Sequence, residues 1–85
     1  MTRRKRIDVN LQEEIIISDK ISFTIEKCDY PEERFRLIEW VRIDDNRIIN
    51  DIVEHTKKHI LDIIDYKYNL LIRINDHSFS AQAGA

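Results

Sequence analysis

Glycine is nearly absent from this chain. Among 85 residues there is one glycine, Gly84, one proline, Pro31, and one cysteine, Cys28. Loops that cradle phosphate need several glycines, so that backbone amides can approach the ligand; nucleotide sites of the P-loop and Rossmann kinds are therefore excluded. A lone cysteine rules out an intrachain disulfide and any cysteine-rich zinc module. The longest apolar runs are Ile15-Ile16-Ile17 and Leu70-Leu71-Ile72. Both fall far short of the roughly 20 residues that span a bilayer, and of the core of a secretory signal. No serine or cysteine sits in a recognisable nucleophile motif, and no cofactor motif is present. The expectation is a soluble, cytoplasmic, non-catalytic domain with no cofactor and no small-molecule substrate.

What the chain does contain is isoleucine and charge. Hydrophobic residues make up 42% and charged residues 35%, enough for one compact core inside a solvated shell and too little length for a second. The formal net charge of -2 conceals an asymmetry, because Arg3, Arg4, Lys5 and Arg6 precede the first acid, Asp8. Residues 7–85 are left with ten basic and sixteen acidic side chains. The reading is a flexible basic arm over residues 1–6, an acidic domain over 7–75 and a disordered tail over 76–85. Such an arm could meet an anionic partner.

From Ile7 the sequence alternates with period two through Ser18, which predicts one half-buried strand. Alternation resumes at Ile21, Phe23 and Ile25 after Ser18-Asp19-Lys20. A three-residue connection pairs Ile15 with Phe23 and keeps the apolar set on one face. With no glycine at the turn, Asp19 or Lys20 would have to carry any left-handed dihedral.

Asp29-Tyr30-Pro31-Glu32-Glu33 interrupts the pattern, and two readings of Arg34–Ile43 follow. One is a third strand with Phe35, Leu37, Val41 and Ile43 inward and Glu39 the misfit. The other is a helix capped by Asp29 with Pro31 in its first turn. The strand is favoured, since Phe, Ile, Trp and Val suit a sheet and the register agrees with the first hairpin. Asp44-Asp45-Asn46 then offers helix-capping oxygens. Ile49, Ile52, Val53, Thr56, Ile60, Ile63 and Ile64 fall on one helical stripe, with Glu54 and Lys58 paired opposite. A final strand is expected near Tyr68–Ile74. The predicted fold is α+β: a β-β-β-α order with a further final strand, forming a three- to four-stranded antiparallel sheet with one amphipathic helix on one face. The alternative is β-β-α-α.

Candidate sites are few. The order of elements resembles the core of several nuclease families, yet the required acid-x-lysine triplet is missing from the central hairpin. His55 and His59 are four apart on the expected helix, with Asp51 or Asp62 conceivable as further metal ligands, but the zincin glutamate is replaced by Thr56. No metal site is predicted. Glu13 and Glu39 fall on the inward side of their strands, opposite Ile25 and Phe23, where burial would raise their pKa values. The most informative feature is an apolar line on the face away from the helix: Ile16, Ile38 and Trp40. Three such side chains would expose a patch of the size that marks protein contacts, with a protein partner or a homodimer as the expectation.

Lys5-Arg6-Ile7-Asp8-Val9-Asn10-Leu11 resembles the first strand of ribbon-helix-helix repressors. That resemblance implies an alternative function as a nucleic-acid-binding regulator. Arg6, Asp8 and Asn10 would read bases, supported by the basic arm Arg3, Arg4 and Lys5, while Ile7, Val9 and Leu11 would face the core. The family continues into a helix, whereas Leu11–Ile25 here keeps strand alternation.

Overall fold

A computed structural model describes residues 5–28 and 33–75. It is α+β, with the order β1 (Lys5–Asn10), β2 (Ile15–Ile16), β3 (Ile21–Cys28), β4 (Arg34–Ile43), β5 (Asn46–His55), α1 (Lys57–Tyr68) and β6 (Leu70–Asn75). Strands β2-β3-β4-β5 form an antiparallel sheet in that order, and β1 pairs in parallel with β6 as a separate two-stranded ladder.

The central hairpins follow the expected register. Ile15 faces Phe23, Ile16 faces Ser22, and Ser22 faces Trp40. The β2–β3 connection achieves this without a left-handed residue at Asp19 or Lys20. Instead the Ser18 hydroxyl accepts the Lys20 and Ile21 amides at 3.3 and 3.2 Å, a serine turn that substitutes for glycine. Arg34–Ile43 is a strand, so the β-β-α-α alternative does not apply.

Four expectations are corrected. The strand expected over Ile7–Ser18 is two strands separated by a turn, in which Gln12 adopts φ 67°. The Glu13 carboxylate accepts the Asn10 amide at 3.0 Å and its own amide donates to the Asn10 carbonyl at 3.2 Å. Glu13 is therefore an exposed turn residue and not an inward acid opposite Ile25. Second, Asp44-Asp45-Asn46 caps no helix. Ile43 faces Asn46 across a two-residue hairpin turn in which Asp44 supplies the positive φ, 59°, as tight hairpins demand. Third, the helix expected from Arg47 begins ten residues later at Lys57, and Asn46–His55 is a fourth antiparallel strand. Glu54 consequently lies outside the helix, and Lys58 bonds Asp62 at 3.2 Å, one turn on. Fourth, Tyr66 and Tyr68 belong to α1, and the last strand starts at Leu70. Lys5 and Arg6, read from the sequence with the basic arm, are part of β1, and residues 1–4 lie outside the described residues. Residues 76–85 lie outside the described residues.

Helix α1 starts where Thr56 accepts the His59 amide at 3.3 Å and ends at Asn69, whose left-handed φ and ψ of 57° and 41° let its amide reach the Asp65 carbonyl. These are ordinary start and stop devices. The helix lies against β4, β5 and β6. Its Ile60 and Ile64 are fully buried with Phe23, Ile25, Phe35 and Leu37 from the inner sheet face, and with Val9 and Ile74, which face each other in the β1–β6 ladder. One continuous core thus joins sheet, helix and ladder. Each of these side chains contributes about 1.5–3 kcal/mol by burial.

Candidate interaction surface

Each strand of the antiparallel sheet alternates its side chains between two faces. On the face opposite α1 stand Ser22, Thr24 and Glu26 of β3 and Arg36, Ile38 and Trp40 of β4. Strand β5 would continue this alternation, but an irregularity opposite Glu39 and Trp40 inserts Asn50 as an extra residue. Asp51 faces Glu39 and Ile49 faces Trp40. Ile49 and Ile52 therefore share the outer face, although they are three residues apart.

The three residues expected to form the apolar line separate. Ile16 is 62% exposed, while Ile38 is only 7% exposed, shielded by its neighbours Thr24 and Ile52 across the strands. Trp40 is half-buried. Its indole nitrogen donates to the Thr24 hydroxyl at 3.0 Å, and the Arg47 guanidinium lies over its ring at 4.2 Å. Arg47 in turn pairs with Glu14 at 2.7 Å, and Glu14 accepts the Ser22 hydroxyl at 2.6 Å. The Ser22 hydroxyl, with Arg47, holds the Glu14 carboxyl below the usual carboxylate range against the opposing effect of burial. The tryptophan is thus roofed by a charged lid.

Exposed apolar surface lies instead on β5. Ile49 and Ile52 are 46% and 49% exposed on the outer face, and Ile48 and Ile43 protrude on the other side beyond the cover of α1. Among the described residues β5 is also the edge of its sheet, so one row of its backbone donors and acceptors has no neighbouring strand there. Sequence reasoning missed these residues by assigning them to a helix. The signal that would have found them is the β-branched run Ile48-Ile49 and Ile52-Val53 behind a two-residue Asp-Asp turn.

The other candidates have structural roles. Glu39 is buried on the inner face and accepts from the Tyr68 hydroxyl, from the Asn50 amide at 2.7 Å and from the Lys67 ammonium at 3.4 Å. Burial alone would raise its pKa, but these donors outweigh it and the carboxyl sits below its usual range. This is the reverse of the raised value expected from position alone. The Tyr68 hydroxyl is pushed up, by burial first and by Glu39 second. A carboxylate so fully engaged is a poor proton acceptor. His55 ends β5 and His59 lies in α1; their rings stack with centroids 3.8 Å apart, and the His55 Nδ1 accepts the Thr56 amide at 2.8 Å. Among the described residues no group of three or more His, Cys, Asp or Glu is placed to hold a metal ion. Cys28 has its pKa raised, chiefly by burial and next by bonding to Glu54, which disfavours the reactive thiolate.

Of the residues assigned to nucleic-acid contact, Arg3 and Arg4 lie outside the described residues, as does the side chain of Lys5. Arg6, Asp8 and Asn10 share the exposed side of β1. Asp8 pairs with Arg73 at 3.2 Å and Asn10 with Asn75 at 3.1 Å, so both are engaged within the ladder. An open cleft of about 450 Å³ between the β2–β3 and β4–β5 turns carries both signs of charge, including Glu14, Lys20, Arg42 and Asp44. No described helix is long and apolar enough to cross a membrane. No known protein family, curated protein or solved structure matches the chain.

Proposed function

We propose that the protein is a non-catalytic interaction module that binds another protein through the outer face of its antiparallel sheet. The observation that carries this reading is the exposure of Ile16, Ile49 and Ile52 at 62%, 46% and 49% around the half-buried Trp40. Large aliphatic side chains grouped on one sheet face gain from being covered, each by about half of the roughly 1.5–3 kcal/mol that burial from full exposure is worth, because each is already partly covered. The arginine-roofed tryptophan at the centre supplies the residue types that dominate binding energy at protein contacts. The non-catalytic part of the reading draws on Glu39 and Glu14, acids already bound to donors and held ionised.

The test is a photo-crosslinking residue, p-benzoylphenylalanine, in place of Ile49, with the same substitution at Asp62 on the solvent side of α1 as control. The expected result is one discrete protein adduct at position 49 and none at 62. Equal, diffuse labelling at both positions removes the proposal.

A further inference from the structure

Strand β5 carries a sequence that is complementary to itself. Read from its centre, Asn46-Arg47-Ile48-Ile49-Asn50 is mirrored by Asp51-Ile52-Val53-Glu54-His55. If a second β5 lies antiparallel with the centre between Asn50 and Asp51, Arg47 meets Glu54 of the second copy. Ile48 then meets Val53 and Ile49 meets Ile52. Apolar residues oppose apolar ones throughout, and the basic residue opposes the acidic one at both ends.

A regular strand could not use this register. Two copies related by a two-fold axis normal to the sheet keep each residue on its own face, and strict alternation gives residues 47 and 54 opposite faces. The extra residue Asn50 removes the conflict. Arg47, Ile49, Ile52 and Glu54 face Arg42, Trp40, Ile38 and Arg36 of β4 and lie on the outer face, while Ile48 and Val53 face Val41 and Leu37 on the inner one. Every matched pair therefore falls on a common face. A bulge ordinarily discourages pairing at an edge, but here the two bulges meet on the axis, each opposite the other.

The edge is also suited to the contact. β5 is ten residues long, mostly exposed and terminal in its sheet, whereas the opposite edge, β2, has two residues. The Asp51 carboxylate accepts the Ile52 amide at 3.0 Å, a local bond that pairing with a second strand at Ile52 would have to replace. We infer that the partner of the sheet is a second copy of this chain, joined β5 to β5 in the Arg47–Glu54 register so that two four-stranded sheets become one of eight. The inference goes beyond the proposed outer-face contact, since it concerns the β5 edge of the same sheet.

Sedimentation of the full chain from about ten micromolar to about one millimolar tests it. The expected species has twice the 10.3 kDa chain mass. Arg47→Glu and Glu54→Arg each place like charges at both ends of the contact and should weaken dimerisation at least about tenfold. An equimolar mixture of the two variants restores opposite charges at both ends and should dimerise again. A wild-type chain that stays monomeric, a dimer indifferent to both reversals, or a mixture that remains monomeric overturns the inference. Amide exchange in the wild-type chain gives a readout free of folding effects. Protection of β5 amides should rise with concentration, and protection independent of concentration also overturns it. A monomeric chain whose position 49 still crosslinks to a different protein removes the second-copy inference and leaves the interaction role standing; loss of both the dimer and the crosslink removes both.

Discussion

Tyr68, the last residue of α1, donates its phenolic proton to Glu39 in the middle of β4, 29 residues earlier. The tyrosine ring stacks on Phe23 at 5.1 Å, the residue that faces Glu39 across the sheet. Helix end, strand centre and core aromatic are thereby locked together around one buried carboxylate.

The lock should be sensitive to acid. Because Glu39 titrates below its ordinary value of 4.5 when folded, the unfolded chain takes up its proton first as pH falls. The stabilisation is complete above the ordinary value and is lost as pH drops through the folded one. Glu14 is shifted in the same direction and adds to the same loss. Urea midpoints should stay nearly level down to about pH 5 and fall below it, and Glu39→Gln should flatten part of that fall while costing about 1–3 kcal/mol near neutrality. Tyr68→Phe keeps the stacking on Phe23 and should cost about 1.5–3 kcal/mol. A slope unchanged by Glu39→Gln would show that the acid sensitivity arises elsewhere.

The Arg47 lid makes an optical prediction. Arg47→Ala removes both the guanidinium over Trp40 and the ion pair to Glu14. Since both charged partners keep substantial contact with water, the cost should stay near or below about 1 kcal/mol. Tryptophan emission should nevertheless move to longer wavelength as the ring meets solvent, with the far-ultraviolet spectrum unchanged. Emission identical to wild type in the folded variant would mean that Arg47 does not cover the ring.

The helix stop at Asn69 is a conformational demand rather than a chemical one. With φ at 57°, Asn69→Gly should be neutral or stabilising by up to about 1 kcal/mol, whereas Asn69→Val should destabilise by about 1–2 kcal/mol. Thermal melts of the two variants should therefore bracket the wild type. Melting in the reverse order would exclude a left-handed cap.

The same demand explains what the sequence concealed. Glycine usually punctuates a chain at left-handed positions, yet here those positions among the described residues are Gln12, Asp44 and Asn69. The break after β1 and the tight β4–β5 turn therefore carry no glycine to announce them. The stretch that became β5 misled for a different reason. Its bulge at Asn50 places Ile49 and Ile52 on one face and Ile48 and Val53 on the other. The same-face spacing of three between Ile49 and Ile52, together with the spacing of four from Ile49 to Val53 across the faces, imitates a helical stripe that runs on into the true helix at Ile60 and Ile64. The hairpins of β2, β3 and β4 were legible because alternation holds within β3 and β4, neither of which carries a bulge where they pair. The surface was legible only in part. Ile16 and Trp40 lie where expected, but the exposure of Ile49 and Ile52 follows from a strand edge that only the fold defines.

The parallel pairing of β1 with β6 has a kinetic consequence. Asp8 and Arg73 are 65 residues apart, while β2 to β5 are linked by short reversals. Closing so large a loop costs entropy that no local contact offsets, so the hairpins should zip first and the ladder should clasp the finished body last. In the folded molecule that clasp is also the natural place for transient opening to begin, which would expose Val9 and Ile74 while the four-stranded sheet stays intact.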